Sequence, residues 1–368
     1  MQKTTRLLAI LLLAASLLAA CSLPLGQPSQ PPAPPATEAP PTEAPATEAP
    51  TPQPAAAAAA ITPENAAQLA EAGQIPVFFP QGLVWSPDSQ AFGFYVSDAS
   101  LPNPSLYTAR LESLPSVIIF QAPVGQTLYG LAPDLRTAAI SPENTRVVLT
   151  DITSGTALQT IVPGYTLYGA SFSPDGRWLV TNSADQWETT LWEPASGAQV
   201  KSLTGFETAA PVYGALVGGD NATLLWFARA TLQTQDIASG QMGATFSHED
   251  FISAFALSQD GNLLVTAAGG TYNGAFTPLI FLWNARSGAK LAEIPLPASA
   301  WALALSPDGR LLAVAIGSQV LFFDTTSQQQ VAALGGHSDT VNSLLFSPDG
   351  SKLLTSSSDN TVRVWMIP

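Results

Sequence analysis

An all-β, seven-bladed propeller is the fold class this chain predicts, on three observations. A short phrase, apolar run then turn then apolar run, recurs seven times, with turns centred on Asp88, Asp134, Asp175, Asp220, Asp260, Asp308 and Asp349. These centres lie 40 to 48 residues apart. A unit of that length cannot bury a core alone and must stack on its neighbours, and a period in the low forties is that of a propeller blade. The phrase is cleanest as Phe172-Ser173-Pro174-Asp175-Gly176, Leu305-Ser306-Pro307-Asp308-Gly309 and Phe346-Ser347-Pro348-Asp349-Gly350. Finally, residues 61–368 exceed one ordinary core but suit one closed ring.

The N-terminal segment comes first. Lys3 and Arg6 precede an apolar run, Leu7 to Leu18, which is too short to span a bilayer comfortably and suits a signal peptide. It ends in Leu18-Ala19-Ala20-Cys21, and Cys21 is the only cysteine of the chain. This ending resembles the lipobox of bacterial lipoproteins. The resemblance implies removal of residues 1–20, lipidation of Cys21 (palmitate included), and a protein anchored in the cell membrane and exposed on its extracytoplasmic side. An ordinary secretory signal is the plainer alternative. A single thiol forms no intramolecular disulfide, so the fold rests on its core.

Residues 21–60 are expected to be a disordered tether. From residue 22 to 60 there are twelve prolines, three Thr-Glu-Ala-Pro units and a run of six alanines. Proline fixes φ and removes donors, so the segment favours extended polyproline II and builds no core.

The ring itself, 61–368, has 11 basic against 24 acidic residues, a net of −13. Such a domain lacks the basic footprint of a nucleic-acid binder and is repelled by anionic lipid.

The last repeat shows the blade grammar. Val341 to Ser347 is a buried strand, Pro348-Asp349-Gly350 a tight turn, Lys352 to Ser356 a second strand. After a turn at Ser358-Asp359-Asn360, Thr361 to Ile367 alternates as a third strand, and the chain stops one strand short of a blade. The missing strand is assigned to Asn65–Gln74, which precedes the first repeat and closes the ring without an open edge. A short helix is the competing reading there, because Ala66, Ala67, Leu69 and Ala70 favour one.

This grammar resembles the WD-repeat β-propellers over all of 61–368. That family's unit reads Gly-His, a Ser-Pro-Asp-Gly turn, an Asp in a later turn, then Trp-Asp. The last repeat matches with Gly336-His337, Pro348-Asp349-Gly350, Asp359 and Trp365. The resemblance implies a structural hydrogen-bond tetrad of His337, Thr355, Asp359 and Trp365. Elsewhere the Trp position holds Trp192 and Trp283, but also Phe323, Thr150 and Gln235, and no second Gly-His occurs. The tetrad is therefore expected to be mostly absent, with apolar packing holding most blades. The family serves mainly as an interaction platform for varied partners, so fold transfers more firmly than function.

Chemistry is sparse. Two histidines 89 positions apart and one cysteine do not make a zinc site, and no calcium or phosphate loop is present, so no metal or cofactor is expected. His248-Glu249-Asp250 is the one compact polar cluster. It reads as a general base with its orienter, or as an inter-blade loop with His248 standing in for the Gly-His.

Variation concentrates on one face, where inter-blade connections and second-to-third-strand loops open. Long second-to-third loops are expected at Ser97 to Ser105, Ser183 to Thr189 and Ala268 to Pro278, carrying Trp187, Tyr272 and Phe276. Seven residues before each turn aspartate stand Gln81, Thr127, Tyr168, Tyr213, Ser253, Trp301 and Asn342, one per blade. Tyr168, Tyr213 and Trp301 are either anchors on one rim or core packing between blades. The expected function is a non-catalytic, monomeric, lipid-anchored platform for a protein partner. A carbohydrate- or peptidoglycan-binding protein and a hydrolase with a site in the central funnel are the alternatives.

Overall fold

The computed structural model describes residues 58–96, 103–115, 117–184, 188–204 and 212–368, with the side chains of residues 204, 212 and 213 left out. Seven four-stranded antiparallel sheets form seven blades. Blade 1 runs Pro80–Trp85, Ala91–Val96, Ser105–Arg110 and Val117–Gln121, from the channel outward. Blades 2 to 6 span residues 127–161, 167–204, 212–247, 252–295 and 302–334 in the same order. The first 57 residues, with Cys21 and most of the proline-rich segment, lie outside the described residues, as do 97–102 and Trp187.

Blade 7 closes the ring. Its strands Val341–Phe346, Lys352–Ser357 and Thr361–Met366 take a fourth from the other end of the domain, Ala70–Pro76. Ala70 pairs with Met366 and Pro76 with Thr361. The strand sits later than the expected 65–74. Asn65 accepts from the Thr62 backbone N–H, and residues Ala66–Gln68 make one 3-10 turn, so both readings of this segment hold, in succession. Ile61 and Ile75 are buried and Arg363 pairs with Glu71 at 2.7 Å, which fixes the closing strand by packing as well as by its ladder.

The core lies between blades. One cluster joins Phe322 of blade 6 to Val341 and Trp365 of blade 7 and to Ile61. Another joins Phe92 and Phe94 of blade 1 to Leu354 and Val364 of blade 7. Each sheet buries both faces against its neighbours, which is why the second strands are near-continuous apolar runs such as Leu311–Ile316.

The seven proline-aspartate-type turns share one face and touch around it. The Asp349 N–H donates to Ser89 Oγ (3.1 Å), and the Asp175 N–H to Asn221 Oδ1 (3.0 Å). Within most turns the serine hydroxyl and the aspartate lock together, as in Ser306 to Asp308 (2.6 Å) and Ser347 to Asp349 (2.6 Å). The repeat's most regular motif is thus structural. The chain enters the ring on this same face: Ile61 N–H donates to Gly350 O (2.8 Å) and Arg310 pairs with Glu64 (2.9 Å).

One expected loop is not a loop. Ala268 to Pro278 continues the strands Leu263–Tyr272 and Ala275–Asn284 as a single long hairpin. Its tip is Asn273-Gly274, both with positive φ (51° and 80°). That two-residue turn matches the twist of the flanking strands, so the insertion extends the ladder.

Candidate functional site

Four side chains expected as a tetrad meet in blade 7. His337 Nδ1 lies 2.8 Å from Asp359 Oδ2 and Nε2 lies 2.6 Å from Thr355 Oγ1. Trp365 Nε1–H donates to Thr355 Oγ1 at 3.0 Å. Burial outweighs the pull of Asp359 and holds His337 below the usual histidine pKa. A neutral ring that keeps its proton on Nδ1 satisfies every partner: Trp365 donates to Thr355, Thr355 to Nε2, and Nδ1–H to Asp359. This site is buried, and its work is to tie the second and third strands of blade 7 to the connection that enters the blade.

Part of the device recurs in blade 5, where His248 stands in for the Gly-His as one of its two readings had it, and in altered form in blades 3 and 4, where it was not expected. In blade 5, His248 Nε2 lies 2.8 Å from Thr266 Oγ1, and Trp283 Nε1–H donates to that hydroxyl at 2.9 Å. In blade 3, Tyr165 replaces the histidine: its hydroxyl lies 2.8 Å from Thr181 Oγ1, to which Trp192 Nε1–H donates at 2.8 Å. Blade 4 reverses the parts, with Trp226 Nε1–H donating to Gln235 Oε1 at 2.7 Å. Apolar packing alone therefore does not hold these blades. The sequence signal missed was the Thr-Trp pair spaced for cross-strand contact, which survives when the Gly-His does not.

His248 has no aspartate partner, because the lengthened hairpin displaces the turn that would supply one. Its Nδ1 is buried without a hydrogen bond, and burial, with help from Lys290, lowers its pKa to about 4. Its sequence neighbours face elsewhere. Glu249 accepts from Thr271 N (3.0 Å) and Oγ1 (2.8 Å), and Asp250 accepts from Phe251 N (2.8 Å). The cluster does not assemble into a base and its orienter.

On the face opposite the aspartate turns, the predicted rim residues mark the starts of the inner strands. Tyr168 and Trp301 are 61% and 60% exposed, so neither is core packing between blades. Tyr213 and Asn342 lie at the same inner-strand position, where a bulge interrupts pairing, as it does at Tyr168. Asn342 Nδ2–H donates to Ser358 Oγ at 2.9 Å. Trp301 stands one residue before its strand, with its N–H donating to Ala315 O (3.0 Å). In blade 2 the bulge falls at Tyr129, two residues after Thr127, and the Tyr129 hydroxyl donates to Asn144 Oδ1 (3.1 Å). That rim tyrosine was missed because the bulge moves between blades.

The long hairpin of blade 5 splits its two aromatics. Tyr272 packs onto the core between blades 4 and 5, whereas Phe276 is 63% exposed and lies over Gly269, where a Cβ would meet its ring. Tyr168, Trp301 and Phe276 belong to three blades, and no ring contact joins them among the described residues. The aromatic group that does form is one the sequence did not single out. Phe227, Arg229, Phe251, Ile252 and Phe255 line a cleft of about 280 Å³ between blades 4 and 5 on this same face. Phe227 and Phe255 are in ring contact at 5.4 Å and Phe251 is half exposed.

Seven four-stranded blades with their aspartate turns on one face define a seven-bladed β-propeller. Residues 155–187 and 328–366 match the family described as WD domain, G-beta repeat. Among known proteins, the chain is similar to transcription factor unc-37 of Caenorhabditis elegans, 32% identical over 32% of this chain and 18% of that protein. It is similar to small ribosomal subunit protein RACK1 of Schizosaccharomyces pombe, 31% identical over 33% of this chain and 40% of that protein. Apoptotic protease-activating factor 1 of Homo sapiens is 27% identical over 53% of this chain and 13% of that protein. The chain thus spans less than half the length of each of these relatives.

Proposed function

We propose that this protein is a lipid-anchored, non-catalytic platform that binds a protein partner through the face carrying the inter-blade connections. The carrying observation is an asymmetry. Tyr168, Phe251, Phe276 and Trp301 are all at least half exposed on that face. The opposite face is stitched by turn-to-turn hydrogen bonds and holds the entering chain at Ile61 and Glu64. The first described residues meet the ring on the stitched side, at Ile61 and Glu64, so a partner on the aromatic face does not compete with the entering chain. The names of the relatives agree with a partner-binding role, one of them being a protein of the small ribosomal subunit.

Two experiments test this. Cys21→Ser, followed through membrane fractionation, is expected to leave the protein unprocessed or soluble; a mature, lipid-modified, membrane-bound mutant overturns the anchor. Crosslinking from intact cell envelopes, with Trp301→Ala beside an unsubstituted chain, is expected to lose its protein adduct at unchanged melting temperature. Exposed Trp301 and Tyr168 also suit stacking on sugar rings, so a glycan array probed with the same two chains is the discriminating control. Glycan binding that Trp301→Ala abolishes, with no protein adduct in the envelope, makes the partner a carbohydrate.

A further inference from the structure

Among the described residues the outer strand of every blade is a sheet edge, a row of backbone N–H and C=O groups that invites another strand. Six of the seven are interrupted. Pairing with the third strand slips between Leu149 and Thr150 in blade 2, Leu191 and Trp192 in blade 3, and Gln233 and Gln235 in blade 4. It slips again at Leu282/Trp283 in blade 5, Phe322/Phe323 in blade 6, and Glu71/Gly73 in blade 7. A bulge twists an edge and breaks its repeat, so an added strand finds no register. The outer strand of blade 1, Val117–Gln121, has no such bulge. It pairs residue for residue from Ser105↔Gln121 to Ala109↔Val117.

This edge is also apolar and uncharged, Val-Ile-Ile-Phe-Gln, with Ile118 67% and Ile119 52% exposed. Just beyond it Ala122 N–H donates inward to Pro104 O (2.9 Å). By the alternation of an antiparallel ladder, Phe120 and Ile118 then turn their backbone groups inward, and Val117, Ile119 and Gln121 turn theirs outward. At the Val117 end a cleft of about 570 Å³ is lined by Val117 and Ile118, by Asp88 and Arg110 of the same blade, and by Pro133 and Asp134 of blade 2, so its carboxylates outnumber its one cation. The Ser86 hydroxyl and the Gln90 N–H hold Asp88 below the usual carboxylate pKa, so it is anionic at neutral pH.

We infer that this edge is a second docking site, taking an extended, cationic segment of a partner protein as a fifth strand of blade 1. Backbone pairing to Val117, Ile119 and Gln121 supplies the affinity, and a Lys or Arg of the segment sits at the Asp88–Asp134 cleft. Charge selects this occupant over a second copy of the chain. A ring with 24 acidic and 11 basic residues draws in a cationic strand and repels its own kind. The inference is independent of the aromatic face.

The test uses the full chain and a capped hexapeptide, Lys-Val-Thr-Val-Thr-Val, with a counterpart carrying Glu in place of Lys. Amide hydrogen exchange is expected to slow at least tenfold at Val117, Ile119 and Gln121 under saturating Lys peptide. The Glu peptide is expected to bind about threefold or more weakly, as loss of one exposed ion pair predicts. Ile119→Pro removes one outward N–H while sparing the inward bonds and should abolish the protection. Ile119→Lys keeps the N–H but repels the peptide and should weaken it too, which covers the case where the proline variant misfolds. Absence of protection at millimolar peptide, or equal binding of the two peptides, overturns the proposal. A concentration-dependent dimer that protects the same amides without peptide assigns the edge to a second copy instead.

Discussion

Thr355 shows how much one hydroxyl does in this ring. It accepts from Trp365 and lies 2.6 Å from His337, linking the third strand of blade 7 to the connection that enters it. His337→Ala leaves Thr355 and Asp359 without their partner and is expected to cost about 1–3 kcal/mol. Urea unfolding measures this, and partner binding by the folded mutant should be unchanged. Lost binding at full stability would instead move His337 into the functional site. His248 makes the contrasting case, with the same threonine contact and no aspartate. Its pKa in the folded ring is about 4, below the ordinary 6.5. Above about pH 6.5 both folded and unfolded chains hold it neutral, and it contributes no pH dependence. As pH falls toward 4 the unfolded chain takes up a proton that the folded chain refuses, so stability drops, by at most ~1.4 kcal/mol per pH unit. His248→Phe is expected to flatten that slope between pH 6.5 and 4. Identical slopes for the two proteins would mean His248 titrates normally in the fold.

Among the elements, the closing strand carries the largest consequence. Ala70–Pro76 covers an edge that would otherwise stand open on Thr361–Met366. Deleting residues 61–76 is expected to lower the melting temperature far more than deleting 22–57, and equal melts would show that closure contributes little. A finer probe is Ile75→Ala, which empties a buried site (3% exposed) and should cost about 2–4 kcal/mol. The blade 5 hairpin is the opposite kind of element. Residues 269–278 extend beyond the blade, and their replacement by a three-residue turn like 358–360 should lower stability no more than Tyr272→Ala does, since Tyr272 is the hairpin residue that packs on the core, while removing Phe276 from the aromatic face. A loss larger than that of Tyr272→Ala would show that the hairpin supports the ring beyond this one side chain.

At the scale of the whole molecule the two faces divide the labour. Trp301→Ala and Phe251→Ala should each weaken a partner at least about tenfold, because a buried aromatic anchor typically contributes ≥ ~2 kcal/mol and ~1.4 kcal/mol is one decade. Arg177 and Arg310 follow turns of the stitched face, and their replacement by alanine should leave binding unchanged. Titration of the isolated partner against the four variants decides between a one-faced platform and an acidic ring that attracts basic proteins from any side.

The blade count, the strand order and the aspartate-turn face were legible in the sequence because each depends on local chemistry. Turns need proline, aspartate and glycine at fixed offsets, and a buried strand needs apolar residues at period two; both repeat whatever lies nearby. The need for a closing strand was legible too, as a blade one strand short, but its bounds were not. Asn65 and the 3-10 turn after it are set by contacts with the far end of the chain, through Ile61 on Gly350. Three things only the tertiary structure decided. Tyr165 serves for a histidine in blade 3 because its hydroxyl reaches Thr181 across the blade, which no spacing encodes. Phe227, Phe251 and Phe255 meet because two blades bring distant segments to one cleft. The edge of blade 1 differs from the six others by the absence of one extra residue in a ladder, and a ladder exists only once two strands have paired. Periodicity specifies what each strand is, whereas register and the approach of one blade to the next specify what its surface offers.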